Sequence, residues 1–319
     1  MITARGLSRS FTTERGVVEA VKGVDFSVAE GEIVGFLGPN GAGKTTTLRM
    51  LTTLIDPTAG EATVAGCDLR TDPVGVRRRI GYVAQSGSTL PEARAGEEIV
   101  DHARLYGLSR EVATKRGADL FAQLDLDGLW ERQCRSMSGG QRRRLDIAMG
   151  LVHEPSLVFL DEPTTGLDPQ SRANLWEHIR GLRDRLGTTV FLTTHYLDEA
   201  DALADRLMVI DHGTIVATGT PAELKRQVSG DAVSVVITDA GRVEDAVRAA
   251  KELPGAEGTL ADGETVRFRI EDGGAALPAL LRRLDADGIA LASVEVRRPT
   301  LDDVFLSLTG RSLRDEPAA

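Results

Sequence analysis

The run Gly38-Pro39-Asn40-Gly41-Ala42-Gly43-Lys44-Thr45 fits the pattern G-x-x-x-x-G-K-[ST], and its flanks constrain the fold more than any other part of the chain. Glu32 to Leu37 reads as a short buried strand entering the loop. Thr46 to Leu54 reads as the helix leaving it, with Leu48, Leu51 and Ile55 on one face. Glycines let successive backbone N–H groups turn inward, and the helix N-terminus adds partial positive charge at the same place. Such a loop receives phosphate: Lys44 is placed to reach the outer phosphates and the Thr45 hydroxyl to hold Mg²⁺. A glycine-rich turn that binds nothing needs no strand before it and no helix after it.

Later runs extend this α/β pattern. Leu157-Val158-Phe159-Leu160 is continuously apolar and ends in Asp161-Glu162. Buried strands of a parallel sheet read this way, and ligands gather at their C-terminal ends. Asp161 is therefore expected to help hold Mg²⁺, and Glu162, one step further out, to orient or deprotonate an attacking water. Ser138-Gly139-Gly140-Gln141 opens another helix, whose body carries Leu145, Ala148, Met149 and Val152 at apolar positions. Small residues at a helix start leave N–H groups bare for a second anion. Gln85 closes a further strand-like stretch, and His195 follows the apolar run Thr189 to Thr194.

These elements, in this order and spacing, resemble the ATP-binding cassette (ABC) ATPases, whose signature sequence is the Ser138–Gln141 motif. In that family two cassettes face each other, and each signature helix caps the ATP held by the other's phosphate loop. The resemblance implies ATP contacts from Gly38, Pro39, Asn40, Gly41, Ala42, Gly43, Lys44, Thr45 and Thr46, and from Ser138, Gly139, Gly140 and Gln141 across the dimer. It implies a Mg²⁺ site at Thr45, Gln85 and Asp161, and catalytic roles for Glu162, Gln85 and His195, the last through the γ-phosphate. Gln85 also matches the residue that links to the transport partner, and Asp168 the loop that touches the opposite cassette. Phe11 lies where the family places an aromatic against adenine; it also reads as a core residue of the N-terminal β-layer. Met137 stands where Leu or Tyr is common. The tail Arg298 to Leu306 with Leu308-Thr309-Gly310, and the region Arg135 to Leu145, are similar to the daunorubicin/doxorubicin-resistance type of these ATPases, although Gln141 replaces a Met often seen there.

The implied fold is a P-loop cassette over residues 1–228: a parallel sheet core, an N-terminal antiparallel β layer of short strands in residues 1–30, and a helical insert over about 86–150. Thr220 to Val228 reads as its last helix, with Thr220 as cap and Pro221 at the first position. Residues 229–319 switch pattern. Ala232–Thr238 is β-branched, Val243–Leu253 helical, Gly258–Ala261 and Thr265–Ile270 flank an Asp262-Gly263 turn, Ala275–Asp285 is helical and Ile289–Val296 a strand. That β-α-β-β-α-β order predicts a small ferredoxin-like α+β domain. Leu301, Val304, Phe305 and Leu308 line one face of a terminal helix, available either for subunit pairing or for packing inside the domain.

Composition narrows the partners. With 38 Lys and Arg against 48 Asp and Glu, the net charge of −10 argues against nucleic acid. Arg77-Arg78-Arg79 and Arg142-Arg143-Arg144 read as solvated helix faces. Cys67 and Cys134 make no disulfide framework, His102, His153, His178 and His212 follow no pattern, and no run approaches the roughly 18 to 20 apolar residues of a membrane span. Met1 to Gly6 runs straight into a strand-like pattern, so no leader is expected. The expected role is an ATPase at the cytoplasmic face of the membrane, a homodimer powering export of a drug-like or lipid-like substrate through a separate integral membrane permease. The alternatives are export of polysaccharide, or a soluble cassette with no transport role. Against the soluble class, the interval from Lys44 to Ser138 has no sustained heptads and the chain carries a single cassette.

Overall fold

The structure, a computed structural model, describes residues 1–14, 16–228 and 230–310; the remainder of the tail and Ser229, on the expected domain boundary, lie outside them. The chain forms two compact units that divide between Pro221 and Ala222.

In the first unit, β1 (Ile2–Thr13), β2 (Gly16–Val28), β3 (Ile33–Leu37), α1 (Lys44–Leu51), β4 (Ala59–Val64), β5 (Cys67–Asp68), α2 (Pro73–Arg79) and β6 (Ile80–Val83) come first. The helices α3 (Ala95–Leu105), α4 (Arg110–Gln123) and α5 (Gly139–Leu151) follow. Then β7 (Leu157–Asp161), α6 (Pro169–Leu186), β8 (Thr189–Thr194), α7 (Leu197–Leu203), β9 (Arg206–Asp211) and β10 (Thr214–Gly219) complete the unit. The N-terminal layer is a four-stranded antiparallel sheet in the order β2-β1-β4-β5. Its first two strands are long rather than short: β-bulges at Leu7 and Arg9 let one continuous hairpin bend where a sequence reading finds breaks. The core sheet runs β10-β9-β3-β8-β7-β6, parallel except for the antiparallel edge strand β10, so it is mixed rather than purely parallel.

Period-two alternation assigns the faces of this sheet. Val158, Leu160, Val190 and Leu192 enter one apolar cluster with Ile99, Phe121, Leu145 and Ile179 of the helices. Leu157, Phe159 and Phe191 enter the other, with Leu48 of α1 and Ile2, Leu7 and Val64 of the antiparallel layer. Both faces are covered, which is why β7 and β8 are buried at every position and their central residues are apolar on both faces. The loops leaving β3, β6, β7 and β8 all lie at carboxyl ends of parallel strands.

The second unit begins with α8 (Pro221–Gln227), which sequence reading gave to the cassette. Then come β11 (Asp231–Ile237), α9 (Val243–Lys251), β12 (Glu257–Asp262), β13 (Thr265–Ile270), α10 (Gly273–Ala286), β14 (Leu291–Arg297) and α11 (Leu301–Thr309). The sheet order β12-β13-β11-β14, antiparallel throughout, is the ferredoxin-like topology. Asp262 still pairs with Thr265, so the hairpin turns on Gly263-Glu264 rather than Asp262-Gly263; the residue at φ +59° is Gly263. Leu301, Val304 and Phe305 of α11 are buried within the chain and Leu308 is 39% exposed, so most of the apolar row is already covered. Among the described residues no helix is long and apolar enough to cross a membrane.

Candidate nucleotide-binding and catalytic site

The loop between β3 and α1 is held in shape by its glycines. A Cβ on Gly38 would stand 2.2 Å from the carbonyl oxygen of Ile210, and Gly43 adopts φ +107° as the N-cap of α1. No side chain caps α1, so its first N–H groups and the positive end of its dipole face the loop. Lys44 is 4% exposed; its Nζ donates to the carbonyls of Gly38 (2.8 Å) and Pro39 (3.0 Å) and lies 3.4 Å from Glu162 Oε1.

The ends of β7 and β8 bring the acidic residues to this loop. Thr45 Oγ1 donates to Asp161 Oδ1 at 3.1 Å, and Thr193 Oγ1 donates to the same oxygen at 2.6 Å. Glu162, buried and in the left-handed region at φ +43°, has its N–H anchored to Thr193. Its Oε2 accepts from Gln85 Nε2 at 3.0 Å and from Thr165 Oγ1 at 3.2 Å. His195 Nδ1 stands 3.2 Å from Oε2. Burial acts to raise the Glu162 carboxyl, but the His195 ring and the Lys44 ammonium outweigh it and hold the group down at about 2.

Lys44, Thr45, Gln85, Asp161, Glu162 and His195 thus form one cluster. Thr165 and Thr193 join it without having been singled out in the sequence; the signal was a hydroxyl at the end of a buried run beside a carboxylate. The other candidates sit elsewhere. Ser138 is the N-cap of α5 and forms a capping box with Gln141: the Gln141 N–H donates to Ser138 Oγ at 3.2 Å and the Ser138 N–H to Gln141 Oε1 at 2.9 Å. Gly139 is exposed, whereas Gly140 is buried, a Cβ there standing 3.2 Å from Ser171 Oγ. Asp168 caps α6, accepting from the Ser171 N–H at 2.9 Å and Oγ at 2.6 Å. Phe11 is half-buried on β1 rather than part of the core, with the Arg9 guanidinium 4.7 Å above its ring.

One expectation fails. The run Arg142-Arg143-Arg144 is not a solvated face: Arg143 is 7% exposed and Arg144 half-buried. Three consecutive helical positions sweep 200° of arc at 100° per residue, so they cannot share one face. Arg143 falls in the inward register of Gly140 and Ile147.

Residues 21–165 match the family model described as ABC transporter, and residues 219–309 the model described as ATP-binding protein DrrA1-3-like, C-terminal domain. The chain is 42% identical over 319 residues, 100% of this chain and 98% of the relative, to the daunorubicin resistance ATP-binding protein DrrA3 of Streptomyces coeruleorubidus. It is 44% identical over 303 residues, 93% of this chain and 91% of the relative, to the doxorubicin resistance ATP-binding protein DrrA of Mycobacterium tuberculosis (strain ATCC 25618 / H37Rv). A solved dimeric ATP-binding cassette in a post-hydrolysis state, bound to ADP and Pi, aligns with a TM-score of 0.64 at 25% identity, covering 69% of this chain and 98% of that one. The chain therefore belongs to the ABC transporter ATPases, in the daunorubicin/doxorubicin-resistance subfamily.

Proposed function

We propose that two copies of this chain close around two ATP molecules at the cytoplasmic face of a membrane, and that hydrolysis drives efflux of a drug-like or lipid-like substrate through a separate permease. The observation that carries the hydrolytic part is the convergence of Lys44, Gln85, Thr165 and His195 on the single carboxylate of Glu162. In this reading Gly38 to Thr46 cradle the phosphates, Glu162 is the base for the attacking water, and Gln85 and His195 orient it against the γ-phosphate. Thr45 Oγ1 and Asp161 Oδ1, hard oxygens already 3.1 Å apart, suit a Mg²⁺ ion that keeps its remaining sites for phosphate and water, with Gln85 as a third donor. Mg²⁺ would neutralise phosphate charge there. ATP draws Lys44 toward its phosphates and sets negative charge beside Glu162; both raise the proton affinity of a carboxyl otherwise held near 2, moving it toward the range of a working base.

The exposed start of α5 at Ser138 and Gly139 supports the paired arrangement, since the positive end of that helix's dipole lies on a different element from the Lys44 cluster and suits the partner's ATP. The relatives named for daunorubicin and doxorubicin resistance support the efflux role. The test is co-expression with a candidate integral membrane permease, followed by purification and an ATPase assay across candidate compounds. Co-purification with ATPase activity stimulated by such a compound is the expected result; an ATPase that neither associates with nor responds to that protein contradicts the transport role.

A further inference from the structure

Arg143 stands on α5, the helix that begins with the Ser138–Gln141 motif, yet all three nitrogens of its guanidinium group donate to backbone carbonyls around the Glu162 cluster. Nε donates to the carbonyl of Pro163 at 2.7 Å, Nη2 to that of Asp161 at 3.0 Å and Nη1 to that of Ala84 at 2.5 Å. Asp161 and Pro163 flank Glu162 on either side, and Ala84 precedes Gln85. A single planar fork therefore holds the backbone before and after the strained Glu162 and the segment that carries its hydrogen-bond donor. One turn further along, Asp146 of the same helix, also buried, accepts from the Ser88 N–H at 3.0 Å on the far side of Gln85.

We propose that Arg143 is a positioning residue for hydrolysis, fixing Glu162 and Gln85 together and tying both to the helix whose N-terminus faces the opposite cassette. This rests on the role proposed for Glu162. The start of α5 would meet ATP in one site while its inner face sets the base of the other, so movement of one helix reaches both. A lysine keeps the charge but offers a point contact instead of a three-pronged fork, so it cannot span three carbonyls.

The test compares Arg143→Lys, Arg143→Met and Glu162→Gln with the unaltered full chain, reading Mg-ATP turnover, KM, ATP affinity and the lifetime of the ATP-bound dimer. A misplaced reacting group costs up to about 100-fold. The expected result for both Arg143 variants is a fall in kcat of about 10- to 100-fold at unchanged ATP affinity, with a longer-lived ATP-bound dimer. If Arg143→Met does not fold, Arg143→Lys decides by the same criteria. A kcat within twofold of the unaltered chain in Arg143→Lys overturns the proposal, and so does a parallel fall of kcat and ATP affinity, which marks a structural role only. Full turnover in Glu162→Gln removes the base reading itself, whereas an inactive Glu162→Gln beside a fully active Arg143→Lys removes only the positioning role.

Discussion

In the proposed mechanism Glu162 concentrates the chemistry in one side chain, and its surroundings bear on both its reactivity and its contribution to stability. Replacing its carboxylate by an amide removes the proton acceptor and keeps the shape, so Glu162→Gln is expected to retain ATP binding and to lower turnover by roughly 10²- to 10⁴-fold. Steady-state hydrolysis alongside equilibrium nucleotide binding checks both halves. Lys44→Ala is expected to weaken binding itself, because it removes the buried ammonium beside the phosphate loop. The pH dependence has a definite sign. A carboxyl whose folded value is about 2 stabilises the folded chain fully above its ordinary value of 4.5, and that contribution is lost as pH falls toward 2. The melting temperature of Glu162→Gln should therefore fall less steeply over that window than that of the unaltered chain; superimposable acid limbs would show that Glu162 is not held down in the fold.

Elements were legible where one periodicity rules the segment. The buried runs of β3, β7 and β8 and the loop after β3 are local signals, because a strand covered on both faces carries consecutive apolar residues through its middle. Features set by tertiary packing were not legible. The bulges that lengthen β1, the reversal of β10 and the assignment of α8 to the second unit depend on distant partners. Arg143 was misread because a basic run on a helix looks solvated until its angular positions are counted, and its partners are backbone carbonyls that leave no trace in side-chain identity. The apolar row of α11 shows the reverse case, in which periodicity found the face without saying what covers it. Since Phe305 is 1% exposed within the chain, Phe305→Ala should destabilise the fold by about 3–5 kcal/mol, visible as a lower urea midpoint. An unchanged midpoint with weakened self-association would instead place that ring in a subunit contact.

At the scale of the whole molecule, the division at Pro221/Ala222 predicts that residues 1–221 fold alone and bind ATP, because among the described residues the two apolar clusters of the cassette draw on none past Ile215 of β10. Truncation there, followed by circular dichroism and nucleotide binding, tests this; an unfolded fragment would mean that the cassette needs the ferredoxin-like unit. The central claim is that each ATP is shared, held by Lys44 of one chain and met by the start of α5 of the other. Gly139 is the clean probe, because it is exposed and a Cβ there meets only Leu167 Cδ2 at 3.7 Å, whereas Gly140 presses on Ser171 of its own chain. Aspartate at the first turn of α5 suits the helix dipole, so folding should survive, while its charge opposes an approaching phosphate. The decisive measurement is sedimentation velocity with Mg-ATP in the Glu162→Gln background. The account predicts a shift from monomer to dimer on adding ATP, and loss of that shift, with ATP binding to the monomer retained, when Gly139→Asp is added; an ATP-dependent dimer that forms equally well with Gly139→Asp would contradict it.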